Sequence, residues 1–263
     1  MEYTFYKYQG AGNDFIIFDA RKAAVNLTEE AVFRLCDRHF GIGADGILVL
    51  KPATMADFEM LFFNPDGSTG MFCGNGGRCI AMFAHNQQIV KNAVMSFAAA
   101  DGLHFAHVID PTLVSLKMTD TKSFELHKDG VWIDTGTSHF VQQVEDVEKI
   151  DVVKAGRKLR NDKRFALHQG TNVNFYSIEK ENTLKVRTYE RGVEDETLAC
   201  GTGITATALA YVLTHFKEDG KYKTEVKTRF STLNVECSRK GEKFENVLLT
   251  GPAVKVFEGI TEI

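Results

Sequence analysis

Four prolines, one tryptophan and five cysteines in 263 residues leave several common architectures without their raw material. The cysteines (Cys36, Cys73, Cys79, Cys200 and Cys237) are odd in number and have no CxxC spacing. That argues against a zinc ribbon, a thioredoxin motif or a secreted disulfide framework, and reduced thiols are expected. No uncharged apolar run is long enough to span a bilayer. The start, Met1-Glu2-Tyr3-Thr4-Phe5, has neither a basic n-region nor an apolar h-region, so no membrane partner is expected and a cytoplasmic location is. Basic charge is not in excess either: 31 Lys and Arg stand against 35 Asp and Glu, a net charge of −4. A nucleic-acid partner is therefore disfavoured and a small-molecule substrate is the default.

What is present is a core. The hydrophobic fraction of 44% excludes disorder, and the length suits one large domain or two of ordinary size. No Gly/Ser linker interrupts the chain, so two domains would be tightly coupled. Short strands are expected at Phe5 to Tyr8, Asp14 to Asp19, Ile47 to Leu50, Asp57 to Asn64, Val94 to Ala98, Leu113 to Met118 and Val131 to Asp134. More follow at Val173 to Ile178, Leu184 to Tyr189, Thr232 to Cys237, Val247 to Thr250 and Val254 to Glu258. Thr28 reads as an N-cap, with Glu29 and Glu30 in the first turn of a helix running to about His39. Charge and periodicity place one or two surface helices between Gln142 and Arg160. The run Gly41-Ile42-Gly43-Ala44-Asp45-Gly46 matches GxGxxG, but a helix precedes it and a strand follows, the reverse of the dinucleotide-binding order. A Rossmann fold is rejected in favour of an α+β architecture with mostly antiparallel strands.

The most informative feature is a repeat: Cys73-Gly74-Asn75-Gly76 and Cys200-Gly201-Thr202-Gly203. Each precedes a stretch that reads as helix. The exposed N–H groups and positive dipole end of such a start favour a thiolate, and the glycines admit an anion to the backbone. From Thr197 to Phe216 there is no Asp, Glu, Lys or Arg, so the second helix should be buried. Either motif alone reads more plainly as a core helix with an inert buried cysteine. Their repetition favours two similar halves presenting paired thiols to one ligand, an arrangement suited to stereochemical inversion.

These residues resemble the diaminopimelate epimerase family. The resemblance is carried by Asn64-Pro65-Asp66-Gly67-Ser68 through Cys79, and by Tyr189-Glu190-Arg191-Gly192 through Gly203. Gly12-Asn13-Asp14-Phe15, Arg38 through Gly46, Thr171-Asn172-Val173-Asn174-Phe175 and Gly251-Pro252-Ala253 match as well. The resemblance implies two similar domains, each a mostly antiparallel sheet or barrel wrapped around a central helix, with the active site in the cleft between them. The expected halves are 1–116 with 251–263, carrying Cys73, and 117–250, carrying Cys200. It also implies a two-base epimerase that needs no cofactor and no metal and is commonly a homodimer. Its reaction would interconvert LL- and meso-diaminopimelate in lysine and peptidoglycan precursor biosynthesis.

By match, Cys73 and Cys200 are the acid/base pair, and His139 and Glu190 join them as catalytic residues. Backbone donors at Gly74, Asn75, Gly201 and Thr202 would hold the α-carboxylate. Asn13, Asn64, Asn172, Glu190 and Arg191 would line the rest, with Arg191 suited to a distal carboxylate. Each has a bland counterpart: Asn13 and Asn64 as turn residues, Glu190-Arg191 as a solvated charge pair, His139 as structural. Three departures from the family stand out: Thr137-Ser138 in place of Asn-Pro, Gly46 where some members carry Gln, and one extra residue in the loop before Cys200. Two rivals remain. A proline or hydroxyproline racemase would show His in place of Asn75. A thiol redox switch would close Cys73 and Cys200 into a disulfide.

Overall fold

A computed structural model of the chain describes residues 1–70, 72–121 and 123–263. The chain divides into two compact units, Met1–Leu116 with Gly251–Ile263, and Lys117–Thr250. Among the described residues no helix is long and apolar enough to cross a membrane.

In the first unit, strands Glu2–Gly10 and Asn13–Asp19 form a hairpin over Ala11 and Gly12. Both turn residues sit at positive φ, 57° and 96°, as a two-residue turn matched to strand twist requires. Asn13–Asp19 lies parallel to Gly46–Lys51, which pairs antiparallel with Phe58–Phe63, which lies parallel to Val94–Ala99. Gly102–Asp110 and Leu113–Lys117 continue antiparallel. Parallel neighbours need a crossover. Helix α1 (Glu29–Cys36) supplies the first and α2 (Gly74–Asn86) the second. At the other edge Val254–Glu262 pairs antiparallel with Glu2–Gly10.

The second unit repeats this order. Gly130–Asp134 pairs antiparallel with Ser138–Gln143, which is parallel to Asn172–Lys180 across α3 (Val152–Arg160). Asn172–Lys180 is antiparallel to Thr183–Glu190, which is parallel to Gly220–Lys227 across α4 (Gly201–His215). Thr232–Lys240 and Lys243–Pro252 follow antiparallel. Phe124–His127 edges Gly130–Asp134, where the first unit uses Val254–Glu262. Each unit is thus an α+β layer wrapped around one buried helix and backed by a second.

The buried helices are α2, enclosed from Asn75 to Ala84, and α4, enclosed from Gly203 to Val212. Threonines survive inside α4 because Thr205 and Thr207 donate back to the Gly201 and Gly203 carbonyls, at 2.9 and 2.8 Å. The outer helices cover separate cores. Val32 and Leu35 of α1 join Ile16, Phe18, Ile47 and Val49, while Val152 of α3 joins Phe140, Phe165, Val173, Phe175 and Tyr189. Strand alternation then turns the intervening residues, Asn13 and Phe15 in one unit and His139, Asn172 and Asn174 in the other, toward the buried helix.

Two sequence expectations need correction. Helix α1 stops at Cys36, three residues short of His39, because the Asp37 carboxylate takes the His39 and Phe40 N–H groups, each at 2.7 Å. A side chain offering the backbone this local alternative ends the helix. The chain then folds back, with Ile42 and Gly43 N–H donating to the Leu35 carbonyl. A Cβ at Gly41 would lie 1.9 Å from the Arg34 carbonyl oxygen, so glycine serves close approach here. Gln142 and Gln143, expected as helix, belong to the strand Ser138–Gln143 and pair with Phe175 and Tyr176. Helical structure in that region comes as a short 3-10 turn, Val147–Lys149, followed by α3 from Val152, capped by Asp151.

Candidate active site

Cys73 and Cys200 are the N-cap residues of the two buried helices, and their backbones nearly coincide: φ −112°, ψ 113° and φ −108°, ψ 110°. Neither side chain caps its helix, and neither first turn holds an acidic residue. Their carbonyls open the helical ladders, accepting from Gly77 and Ile204 N–H at 2.8 Å. The first-turn N–H groups of Gly74, Asn75, Gly201 and Thr202 therefore keep the donor geometry that suits an anion. Cys73 is half-buried; Cys200 is 9% exposed and lines a cavity of about 170 Å³ with Thr188, Leu198, Ile204, Arg229 and Phe230.

In the first unit a directed chain of amides runs from α2. Arg78, fully buried, donates through Nη2 to Asn75 Oδ1 at 2.6 Å, and Asn75 donates to Asn13 Oδ1. Asn13 in turn donates to Asp45 Oδ2 at 3.0 Å. A donor-only guanidinium at one end and an acceptor-only carboxylate at the other fix the direction of both amides. Asp45 and Asp14 share Arg38, and Lys7 reaches Asp14 at 2.7 Å. Burial alone would raise the Asp14 carboxyl, but hydrogen bonds and charge from Arg38 and Lys7 outweigh it and hold it down to about 2.

Arg78 has no carboxylate within ion-pairing distance among the described residues, and its Nη1 meets no hydrogen-bond partner. Nε reaches only the Pro252 carbonyl, at 3.4 Å. Burial disfavours this charge, while the Cys79 and Cys73 thiols, when ionised, favour it. Asn64 behaves differently: its amide is engaged within its own turn, donating to Ser68 Oγ at 2.9 Å.

In the second unit the expected residues gather closely. His139, fully buried, sits beside Thr202, with Nε2 2.9 Å from Thr202 Oγ1, which lies 3.4 Å from Cys200 Sγ. Behind it, Asn174 Nδ2 lies 3.0 Å from His139 Nδ1, and Thr188 donates to Asn174 Oδ1 at 2.9 Å. Burial, helped by the charge of Arg191, pushes the imidazole down to about 3, so the ring is neutral near pH 7. Asn172 bridges the segment, donating to the Ser138 carbonyl and accepting from Arg191 N–H at 2.8 Å. The Arg191 guanidinium is held by the His168 carbonyl (3.1 Å) and Thr137 Oγ1 (3.3 Å), with no carboxylate paired to it among the described residues. Its positive charge thus stands uncancelled. Burial pushes the Glu190 carboxyl up.

The other three cysteines lie apart from this chemistry. Burial pushes the Cys36 thiol up to about 11 and the Cys237 thiol up to about 12, and raises Cys79 further still. Cys36, Cys79 and Cys237 are buried free thiols. Among the described residues no cluster of three His, Cys, Asp or Glu side chains forms a metal site.

Sequence reasoning passed over Arg78, Asp45, Asn174 and Thr188 as site residues. Asn174 carried a readable signal: in Asn172-Val173-Asn174 the strand period of two puts both asparagines on one face. Arg78 was visible as the sole formal charge in a buried helix. Nothing in the sequence distinguishes Thr188.

A family model described as "Diaminopimelate epimerase" matches residues 5–122 and 131–256. The diaminopimelate epimerase of Flavobacterium psychrophilum is 40% identical over 257 residues, covering 96% of this chain and 98% of that protein. That of Aquifex aeolicus is 41% identical over 275 residues, covering 97% and 96%. Among solved structures, a Bacillus anthracis phenazine biosynthesis protein of the PhzF family superposes with a TM-score of 0.76 over 100% of both chains. At 16% identity, that likeness speaks to the fold alone.

Proposed function

From the premise that the chain belongs to the diaminopimelate epimerase family and is an isomerase, we propose that it interconverts LL- and meso-diaminopimelate by two-base proton transfer through Cys73 and Cys200. The observation that carries this reading is the pair of Cys-Gly-x-Gly helix starts with matching N-cap backbones, one in each topological repeat. One cysteine, as thiolate, takes the α-proton and becomes a thiol. The other, as thiol, gives a proton to the opposite face of the carbanion and becomes a thiolate. Charge and protons balance, and the reverse reaction exchanges the roles.

The α-hydrogen of an amino acid is weakly acidic, so the developing charge needs fixed donors. The main-chain N–H groups of Gly74, Asn75, Gly201 and Thr202 serve as these donors, and loss of one such donor typically costs about 10²–10³ in rate. At the far end of the substrate, Arg191 with its uncancelled charge suits the distal carboxylate, and Asn13, Asn64, Asn172 and Glu190 supply the surrounding polar contacts. This distal recognition excludes ordinary monocarboxylic amino acids. A role in making lysine and peptidoglycan precursors follows from the substrate.

The test is incubation with LL-diaminopimelate in deuterated buffer under reductant. Expected are deuterium at the α-carbon and appearance of the meso isomer, with Cys73→Ala and Cys200→Ala each losing interconversion while keeping wild-type circular dichroism. Absence of exchange with diaminopimelate overturns the reading. Exchange with proline instead points to a racemase, and both alanine variants remaining active removes the two-base assignment.

A further inference from the structure

We propose that Asn174 is a positioning residue that commits the Thr202 hydroxyl to donate its hydrogen to Cys200 Sγ, acting through the tautomer of His139. The inference rests on the reading of Cys200 as a proton-transfer thiol and adds what holds that thiol ready.

Asn174 is fully buried, and its Nδ2 lies 3.0 Å from His139 Nδ1 and 3.4 Å from the Phe140 carbonyl oxygen. A carbonyl oxygen can only accept, so the amide atom facing it must be the nitrogen. The amide oxygen then faces Thr188, whose hydroxyl donates to it at 2.9 Å. Turned this way, Asn174 donates to His139 Nδ1, which must be the unprotonated nitrogen of a neutral ring.

The ring hydrogen therefore sits on Nε2, 2.9 Å from Thr202 Oγ1, and the hydroxyl oxygen accepts it. A hydroxyl has a single hydrogen. With one lone pair of its oxygen taken by the ring, Thr202 gives its only hydrogen to Cys200 Sγ, 3.4 Å away, when that sulfur is a thiolate. The relay runs Thr188, Asn174, His139, Thr202, Cys200, each donor facing the next acceptor, and it ends on a sulfur that it favours as thiolate. Gly203 gives the relay its room, since a Cβ there would lie 2.4 Å from Asn174 Oδ1 and 3.3 Å from both His139 Cε1 and Cys200 Cβ. The other charged groups facing His139 and Cys200 are Arg191 and Glu190, at the end of strand Thr183–Glu190, and the Arg187–Glu196 pair with Arg229 around the cavity. None of these is altered in the His139 and Asn174 variants of the following experiment.

The experiment is ¹⁵N NMR of the full chain labelled at histidine, with the His139 signals identified by their loss in His139→Gln. The wild type is expected to show a neutral ring protonated at Nε2 near pH 7. Asn174→Leu, close in size but without the donor, is expected to lose that single tautomer. It should also raise the pH midpoint of Cys200 alkylation, read peptide by peptide by mass, by about one unit. Asn174→Ser serves as the second variant should the leucine variant not fold. A wild-type ring protonated at Nδ1 overturns the proposal without any variant. So does a Cys200 midpoint unmoved once the tautomer has changed. Neither readout uses substrate, so failure of the epimerase reading shows separately, in the exchange assay.

Discussion

Gly203→Ala tests the packing on which the second half of the site depends, and its sign runs against the usual rule. Inside a helix, replacing glycine by alanine ordinarily stabilises by about 1 kcal/mol. Here the new methyl carbon would stand 2.4 Å from Asn174 Oδ1, so reaching an ordinary contact of about 3.4 Å means moving one group by about 1 Å. Asn174 cannot yield freely, because its oxygen accepts from Thr188 and its nitrogen donates to His139. Giving up those two buried hydrogen bonds costs about 1–3 kcal/mol for each group left unsatisfied. After the helical gain is subtracted, a net loss of about 1–5 kcal/mol is expected. That corresponds to a fall of roughly 3–15 °C in the calorimetric transition. The same substitution should raise the alkylation midpoint of Cys200. An alanine variant that melts at or above the wild type, with Cys200 reactivity unchanged, refutes the close packing of Gly203, Asn174 and His139.

Arg191→Gln removes the uncancelled charge assigned to the distal carboxylate, and kcat/KM for diaminopimelate should fall about 10- to 100-fold, mostly through KM; steady-state kinetics decide, and an unchanged KM removes the assignment. His139 titrates near 3 in the folded chain against an ordinary value near 6.5, so between those values the unfolded chain binds the extra proton. Stability should therefore decline as pH falls from about 6.5 toward 3, and melting curves of His139→Gln should show a flatter acid limb than the wild type. Arg78→Met takes away a buried cation that ionised Cys73 and Cys79 both favour, so the alkylation midpoint of Cys73 should rise by about one unit or more, while Arg78→Lys should hold it near the wild type. Equal shifts in the two Arg78 variants would mean the hydrogen bond to Asn75, not the charge, matters.

Much of this molecule was legible from residue pattern because its devices are local. The N-cap role of Thr28, the turn at Ala11 and Gly12, and the buried character of α4 each follow from a few adjacent side chains. The paired helix starts were readable for the same reason, since cysteine and glycine at fixed offsets impose the geometry wherever they occur. Less legible was anything settled by distant neighbours. Helix α1 ended early because Asp37 outcompeted the helical ladder. The direction of Asn174 depends on Phe140 and Thr188, 34 and 14 residues away in sequence. Asn64, placed by resemblance among the substrate contacts, spends its amide nitrogen on a turn. Arg78 stands in the sequence as the one formal charge of its helix, but only its burial and its bond to Asn75 give that charge a meaning.

The edge strand Val254–Glu262, hydrogen-bonded to Glu2–Gly10, sets an order of events during translation. Everything between Lys117 and Thr250 is synthesised before that strand, so the Cys200 half has all its residues while the Cys73 half still lacks one of its edges. Domains usually finish folding from the amino end first; in this chain the amino-terminal half must wait for the last of its residues to emerge. A chain truncated before Val254 would carry every residue of the Cys200 half, while the Cys73 half would lack the strand that pairs with Glu2–Gly10.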